Sequence, residues 1–160
     1  MTQVKGSLCL MRFLPATALL ASGLATAGLL SGCAPTVVVD SAADANNPAC
    51  AEIIVRLPDQ VGELSKRQTN AQSTGAWGNP TGVILRCGLE PVEVSNFTCV
   101  TASGIDWLVD DTKAPSYRFI TYATKPATEV IVDSTQISGV SALEALGSAV
   151  GNIPAEKRCE

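Results

Sequence analysis

YRFITYATKPATEVIV, residues 117–132, is the stretch whose reading decides the fold. It holds two runs rich in aromatic and β-branched side chains, residues 117–122 and 128–132, separated by Lys125-Pro126. Side chains of these types fit a pleated, half-buried surface, so each run predicts a strand. Proline supplies no backbone N–H and interrupts a ladder, which places the break between them. A connection this short cannot return a strand in parallel, since a parallel crossover needs a dozen residues or more. The stretch therefore predicts an antiparallel hairpin.

Working outward toward the N-terminus, Ile105-Asp106-Trp107-Leu108-Val109 is a further strand, followed by a turn at Asp110-Asp111-Thr112-Lys113. Residues 97–101 read as a shorter one, and Val92 and Val94 alternate with glutamates. Val83-Ile84-Leu85-Arg86-Cys87 is a strand closed by Gly88 and Pro91. Residues 58–82 read as a loop, polar over 65–75 and ending in the turn Ala76-Trp77-Gly78-Asn79-Pro80. Ahead of it, Asn47-Pro48 combines a capping side chain with a preset φ, so a helix is expected over residues 49–57, with Ile53, Ile54 and Leu57 on one face. Toward the C-terminus, Ser141 and Glu144 match a capping box, Val140, Leu143, Ala149 and Val150 fall near a helical stripe, and Gly151 and Pro154 end the pattern. Helix, strands, helix predicts an α+β protein: an antiparallel sheet with the N- and C-terminal helices packed on one face.

Residues 1–12 carry Lys5 and Arg12 and no acid, residues 13–30 are apolar and uncharged, and Leu30-Ser31-Gly32-Cys33 follows. Positive end, apolar core and small residues at a cut site are the order of a secretory signal. The last four residues resemble the lipobox of bacterial lipoproteins. That resemblance implies cleavage between Gly32 and Cys33 and a diacylglyceryl group on the Cys33 thiol, with fatty chains such as palmitate holding the protein to the outer face of the cytoplasmic membrane. The expected organisation is a signal peptide over 1–32, a lipid-anchored flexible tether over 33–47, rich in small and polar residues, and one globular α+β domain over 48–160.

Of six cysteines, Cys9 leaves with the leader and Cys33 takes lipid, so Cys50, Cys87, Cys99 and Cys159 remain as an even set in an exported domain. Such a set is expected to pair, in one of three connectivities. Cys87 with Cys99, across neighbouring strands, and Cys50 with Cys159, tying the first helix to the tail, are favoured. Four-cysteine zinc is disfavoured because no close Cys-x-x-Cys pair and no histidine are present.

With Lys5 and Arg12 in the leader, the rest of the chain carries nine basic against fifteen acidic groups, a net of −6. Such a surface repels phosphate backbones, so no nucleic acid partner is expected. Lys66, Arg67, Trp77, Arg86, Asp106 and Trp107 form the cluster most open to function. Folded together, they would set cations beside an aromatic wall for an anionic ligand. Separately, Trp77 and Trp107 would anchor the core, Arg86 would pair with Asp106 or a glutamate across the sheet, and Lys66 and Arg67 would be solvated. Without histidine, a Ser-His-Asp arrangement is excluded. A cell-wall hydrolase would need Lys66 with Ser65 or Ser73, or a carboxylate pair from Asp106, Asp110, Asp111 and Glu129. No Gly-rich phosphate loop is present, and no cofactor or metal is expected.

The lipobox, Cys50 ahead of Leu57-Pro58, Lys66-Arg67, Ala76-Trp77-Gly78, Leu85-Arg86-Cys87-Gly88, Gly104-Ile105-Asp106-Trp107-Leu108, Thr121-Tyr122, Pro126-Ala127 and Glu129-Val130 together resemble one family. It is the actinobacterial secreted lipoprotein family catalogued as domain of unknown function 3515. The chain departs from its pattern at Ala123, where glycine is expected, and at Lys66, where arginine is favoured. The resemblance implies location and class, and no activity. The function expected is that of a membrane-anchored envelope binding or accessory protein, with an unknown envelope protein or cell-wall component as partner. The alternatives are a small anionic-ligand-binding lipoprotein using the Arg/Trp cluster and a cell-wall hydrolase.

Overall fold

The computed structural model describes residues 35–93 and 95–159. The leader, the cut at Gly32 and Cys33, and Val94 lie outside the described residues. Helix α1 spans Pro48–Ile54, and the strands are β1 Gln60–Val61, β2 Leu64–Arg67, β3 Thr74–Trp77, β4 Val83–Leu89, β5 Thr98–Ala102, β6 Ile105–Asp110, β7 Ser116–Thr121 and β8 Ala127–Asp133. Helix α2, Gly139–Val150, follows. The strands form one antiparallel sheet in the order β1-β2-β3-β4-β8-β7-β6-β5. It is two meanders joined at a central seam, where β4 meets β8 with Leu85 opposite Val130 and Arg86 opposite Glu129.

The hairpin expected from residues 117–132 is β7–β8, with Phe119 opposite Val130. Asn47 caps α1 as its sequence predicts, its side-chain oxygen accepting the Ala49 N–H at 3.0 Å. Two expectations need correction. Residues 58–82 are not one loop: they supply β1, β2 and β3, which show no apolar alternation but are paired each to the next, with β3 laddered to β4. Helix α2 starts earlier than the Ser141–Glu144 box suggests. Ser138 is its cap, the hydroxyl accepting the Ser141 N–H at 3.1 Å, and Val140 is left exposed.

Strand alternation divides the sheet sharply. Val83, Leu85, Cys87, Val130, Val132, Phe119, Trp107 and Trp77 project to the inner face, where Ile53 of α1 and Leu143, Leu146 and Val150 of α2 cover them. Each such side chain removed from water contributes about 1.5–3 kcal/mol before entropy is counted. Both helices pack on this face, and α2 touches β8 and also the two edge strands β1 and β5, so the sheet curls around it.

The same alternation overturns the favoured disulfide connectivity. The bonds are Cys50–Cys87 and Cys99–Cys159. Cys87 points inward, toward α1 and Cys50. Cys99 lies opposite Leu108 on the other face, and β8, β7 and β6 stand between β4 and β5. Strands lie about 4.8 Å apart, so Cys87 and Cys99 are separated by roughly 19 Å, far beyond disulfide reach. Closing chain separations of 37 and 60 residues contributes about 4 kcal/mol per bond in the chain-entropy model.

The described part of the expected tether over 33–47 makes specific contacts with the domain. Residues 35–47 form a strap along the sheet. Val37 bridges Thr69, the Val39 N–H donates to Asn70 Oδ1 at 2.7 Å, and the Asp44 N–H donates to the Gly88 carbonyl at 2.9 Å. Gly88 has φ +107°, and a Cβ there would come within 2.5 Å of the Asp44 backbone, so this approach needs glycine.

Candidate functional site

The outer face of the sheet carries the charge. At the central seam Arg86 of β4, Glu129 of β8 and Arg118 of β7 share one face, because Arg86 is opposite Glu129, Glu129 opposite Ile120, and Arg118 two residues from Ile120. Glu129 has no exposed surface, while Arg86 and Arg118 are 26% and 35% exposed. Arg86 grips one carboxylate oxygen through Nε and Nη2, and Arg118 Nε grips the other. Arg86 Nη1 also donates to the Asp40 carbonyl of the strap at 3.2 Å. A carboxylate taken out of water is tolerable only with such pairing. Two cations on one anion leave guanidinium N–H donors beyond those Glu129 takes, although Asp110 lies opposite Arg118 in the ladder.

The two arginines open onto a pocket of about 490 Å³ lined by Arg86, Arg118, Ile120, Leu89, Val92, Phe97 and the exposed Glu90, with Ser41 to Ala43 of the strap as one wall. Arg118 also borders a neighbouring hollow of about 330 Å³ with Asp110, Lys113 and Ser116. A guanidinium has five N–H donors. Chemically the place suits an anionic group, carboxylate or phosphate, joined to an apolar portion that can rest on Ile120, Val92 and Phe97.

The sequence-derived cluster does not assemble. Trp77 and Trp107 are wholly buried on the inner face, their indole N–H groups donating to the Pro58 carbonyl at 3.0 Å and the Ala102 carbonyl at 3.4 Å. Arg86 is on the outer face with Glu129, the glutamate across the sheet. Arg67 clamps chain, donating to the carbonyls of Gly78 and Pro35. Lys66 is exposed, with Nζ 3.4 Å from the Leu57 carbonyl.

Asp106 is on the outer face too, at the sheet's far side. It accepts from the Thr101 hydroxyl at 2.7 Å and the Cys159 N–H at 3.0 Å, with Arg158 at 3.2 Å. Burial pushes its carboxyl up, but the bonds from Cys159 and Thr101 and the Arg158 charge outweigh it and hold the group below its ordinary value. Asp106 thus fastens the C-terminal tail over β5 and β6.

Neither arrangement needed for a histidine-free hydrolase is assembled among the described residues. The Ser73 hydroxyl donates to the Ala45 carbonyl at 2.5 Å, and Lys66 points at a backbone oxygen. Glu129 is locked between arginines, while Asp110 accepts from Thr112 in its turn. Arg118 escaped sequence reasoning. Its signal was an arginine at the same strand parity as Ile120, matching Arg86 beside Ile84 and Glu129 beside Ile131, but only the register brings the three together.

An α+β domain stapled by two disulfides, with a charged pocket on the sheet face opposite its helices, is the class defined here. The chain belongs to the family described as Protein of unknown function (DUF3515), whose model matches residues 13–158. No curated protein matches the chain, and no solved structure does.

Proposed function

We propose that this protein is a lipid-anchored extracytoplasmic binding protein of the actinobacterial cell envelope, cut before Cys33 and acylated there, which receives an anionic group of an envelope component between Arg86 and Arg118. The observation carrying the binding site is the wholly buried Glu129 braced by two arginines that border an apolar-walled pocket. A carboxylate in that position holds both guanidinium groups in place before a ligand arrives, which lowers the ordering cost of binding. The leader and lipobox support the address, and two disulfides suit an oxidising compartment.

The address is tested by Cys33→Ala, which should leave the chain uncut or release it from the membrane; unchanged fractionation and processing would defeat it. For the site, a photo-crosslinking amino acid at Phe97, on the pocket rim, should capture a discrete envelope species in intact cells. That product should vanish when Arg118→Gln is added. Identical products with and without Arg118 would remove the pocket from consideration.

A second reading, docking of a partner protein, is favoured by a groove of about 580 Å³ between the start of α2 and strands β5 to β7, where Val100, Tyr117, Phe119, Val140 and Leu143 supply an apolar lining. Crosslinks from position 140 rather than 97 would support it.

A further inference from the structure

The strap fixes where the lipid must be. Pro35 is held through its carbonyl by Arg67, Val37 is bonded on both sides to the chain at 68–70, and Asp40, Asp44 and Ala45 are each bonded to β4, to Gly88 or to Ser73. Only two peptide steps separate position 33 from Pro35, which span at most about 7 Å. A free fifteen-residue tether over 33–47 would instead let the domain wander by about 20 Å.

We infer that the domain is held directly on the bilayer, with the corner formed by residues 35–39 and the end of β2 against the phospholipid headgroups. This rests on acylation of Cys33. Two further observations choose the same corner. Val38 is 81% exposed, the most exposed of the large apolar side chains among the described residues, and it lies five residues from the acylated position. Residues 35–39 and 64–79 contain Lys66 and Arg67 and no Asp or Glu, with the exposed Asp40 and Glu63 at their borders. An acidic protein drawn against an anionic leaflet is repelled least through such a corner. A valine at headgroup depth adds apolar burial to the anchor.

The test uses full-length acylated protein in vesicles of phosphatidylcholine and phosphatidylglycerol, with mass spectrometry establishing the fatty chains first. An environment-sensitive fluorophore is attached at Val38→Cys in one sample and Val55→Cys in another, Val55 being an exposed apolar residue at the end of α1. The position 38 label should shift to the blue and be quenched by lipid-phase quenchers several-fold more than the position 55 label. Equal quenching at the two sites in acylated protein would overturn the inference and leave the lipoprotein reading standing. Absence of fatty chains would end both. Inserting a flexible Gly/Ser segment between Ala34 and Pro35 should return position 38 to water; undiminished quenching there would show that leash length does not hold the corner down, and the inference would fail.

Discussion

The two faces of the sheet are built on opposite principles. The inner face is an apolar surface closed by helices, with both tryptophans and the Cys50–Cys87 bond in its core. The outer face is covered by the strap, the chain at Val92 and Glu93 against Tyr122, and the tail, and its centre is the Arg86–Glu129–Arg118 group. Packing density holds the first, and directional polar contacts hold the second. The difference teaches why residues adjacent along one strand have unrelated roles. Leu85 and Arg86, or Asp106 and Trp107, point to opposite sides and answer to different neighbours.

The contrast breaks most visibly at Trp77. Trp77→Ala should cost about 4 kcal/mol in urea unfolding, since the ring is wholly buried and its cavity cannot collapse within a sheet. A loss below about 1 kcal/mol would mean that the inner face is loosely packed. On the outer face Arg118→Ala should cost about 2 kcal/mol, because Glu129 stays buried but keeps Arg86, and the arginine removed is partly solvated. If that loss equalled the tryptophan's, the outer face would be a second core rather than a polar site.

A smaller gain is expected at the rim between the faces. Ala123 is buried with φ +51°, a left-handed conformation, and its N–H donates to the Val92 carbonyl. Ala123→Gly should raise stability by about 0.5–1 kcal/mol in the same assay by removing strain at Cβ. Glycine was expected at this position from the sequence, and the φ supplies a reason for it.

The finest test concerns pH. Asp106 is held below its ordinary value when folded, so its contribution is fully present above that value and is lost as pH falls through the folded one. Amide exchange in residues 155–159 should accelerate over that acidic window, while the inner-face strands stay protected. Asp106→Asn should make the tail's exchange far less pH-sensitive. Simultaneous loosening of both faces would refute the separation.

Much of this fold was legible along the chain. The aromatic and β-branched runs marked β4 and β6 to β8, Asn47-Pro48 marked the start of α1, and the apolar alternation already implied an inner and an outer side. Strands β1 to β3 were not legible, because Leu64-Ser65-Lys66-Arg67 has no alternation and is ordered by its neighbour's backbone. The site was half legible: Arg86 and a cross-sheet glutamate were readable, whereas Arg118 and the separation of the tryptophans were not. Lys66, Arg67, Trp77 and Arg86 lie close in sequence on three successive strands, but nearness along the chain says nothing of which face a side chain takes.

By itself, the sequence determined local conformation, the even set of domain cysteines, the acidic balance and the signal-like leader, since these depend on residue type and short-range spacing. Tertiary structure decided strand order, and with it everything long-range. Placing β8 between β4 and β7 sent Cys87 to Cys50 and Cys99 to Cys159, set two arginines on one glutamate, and laid residues 35–47 along the sheet. The physical reason is that a strand's pattern states which side chains must be buried, while the partner that buries them is chosen by the packing of the whole sheet.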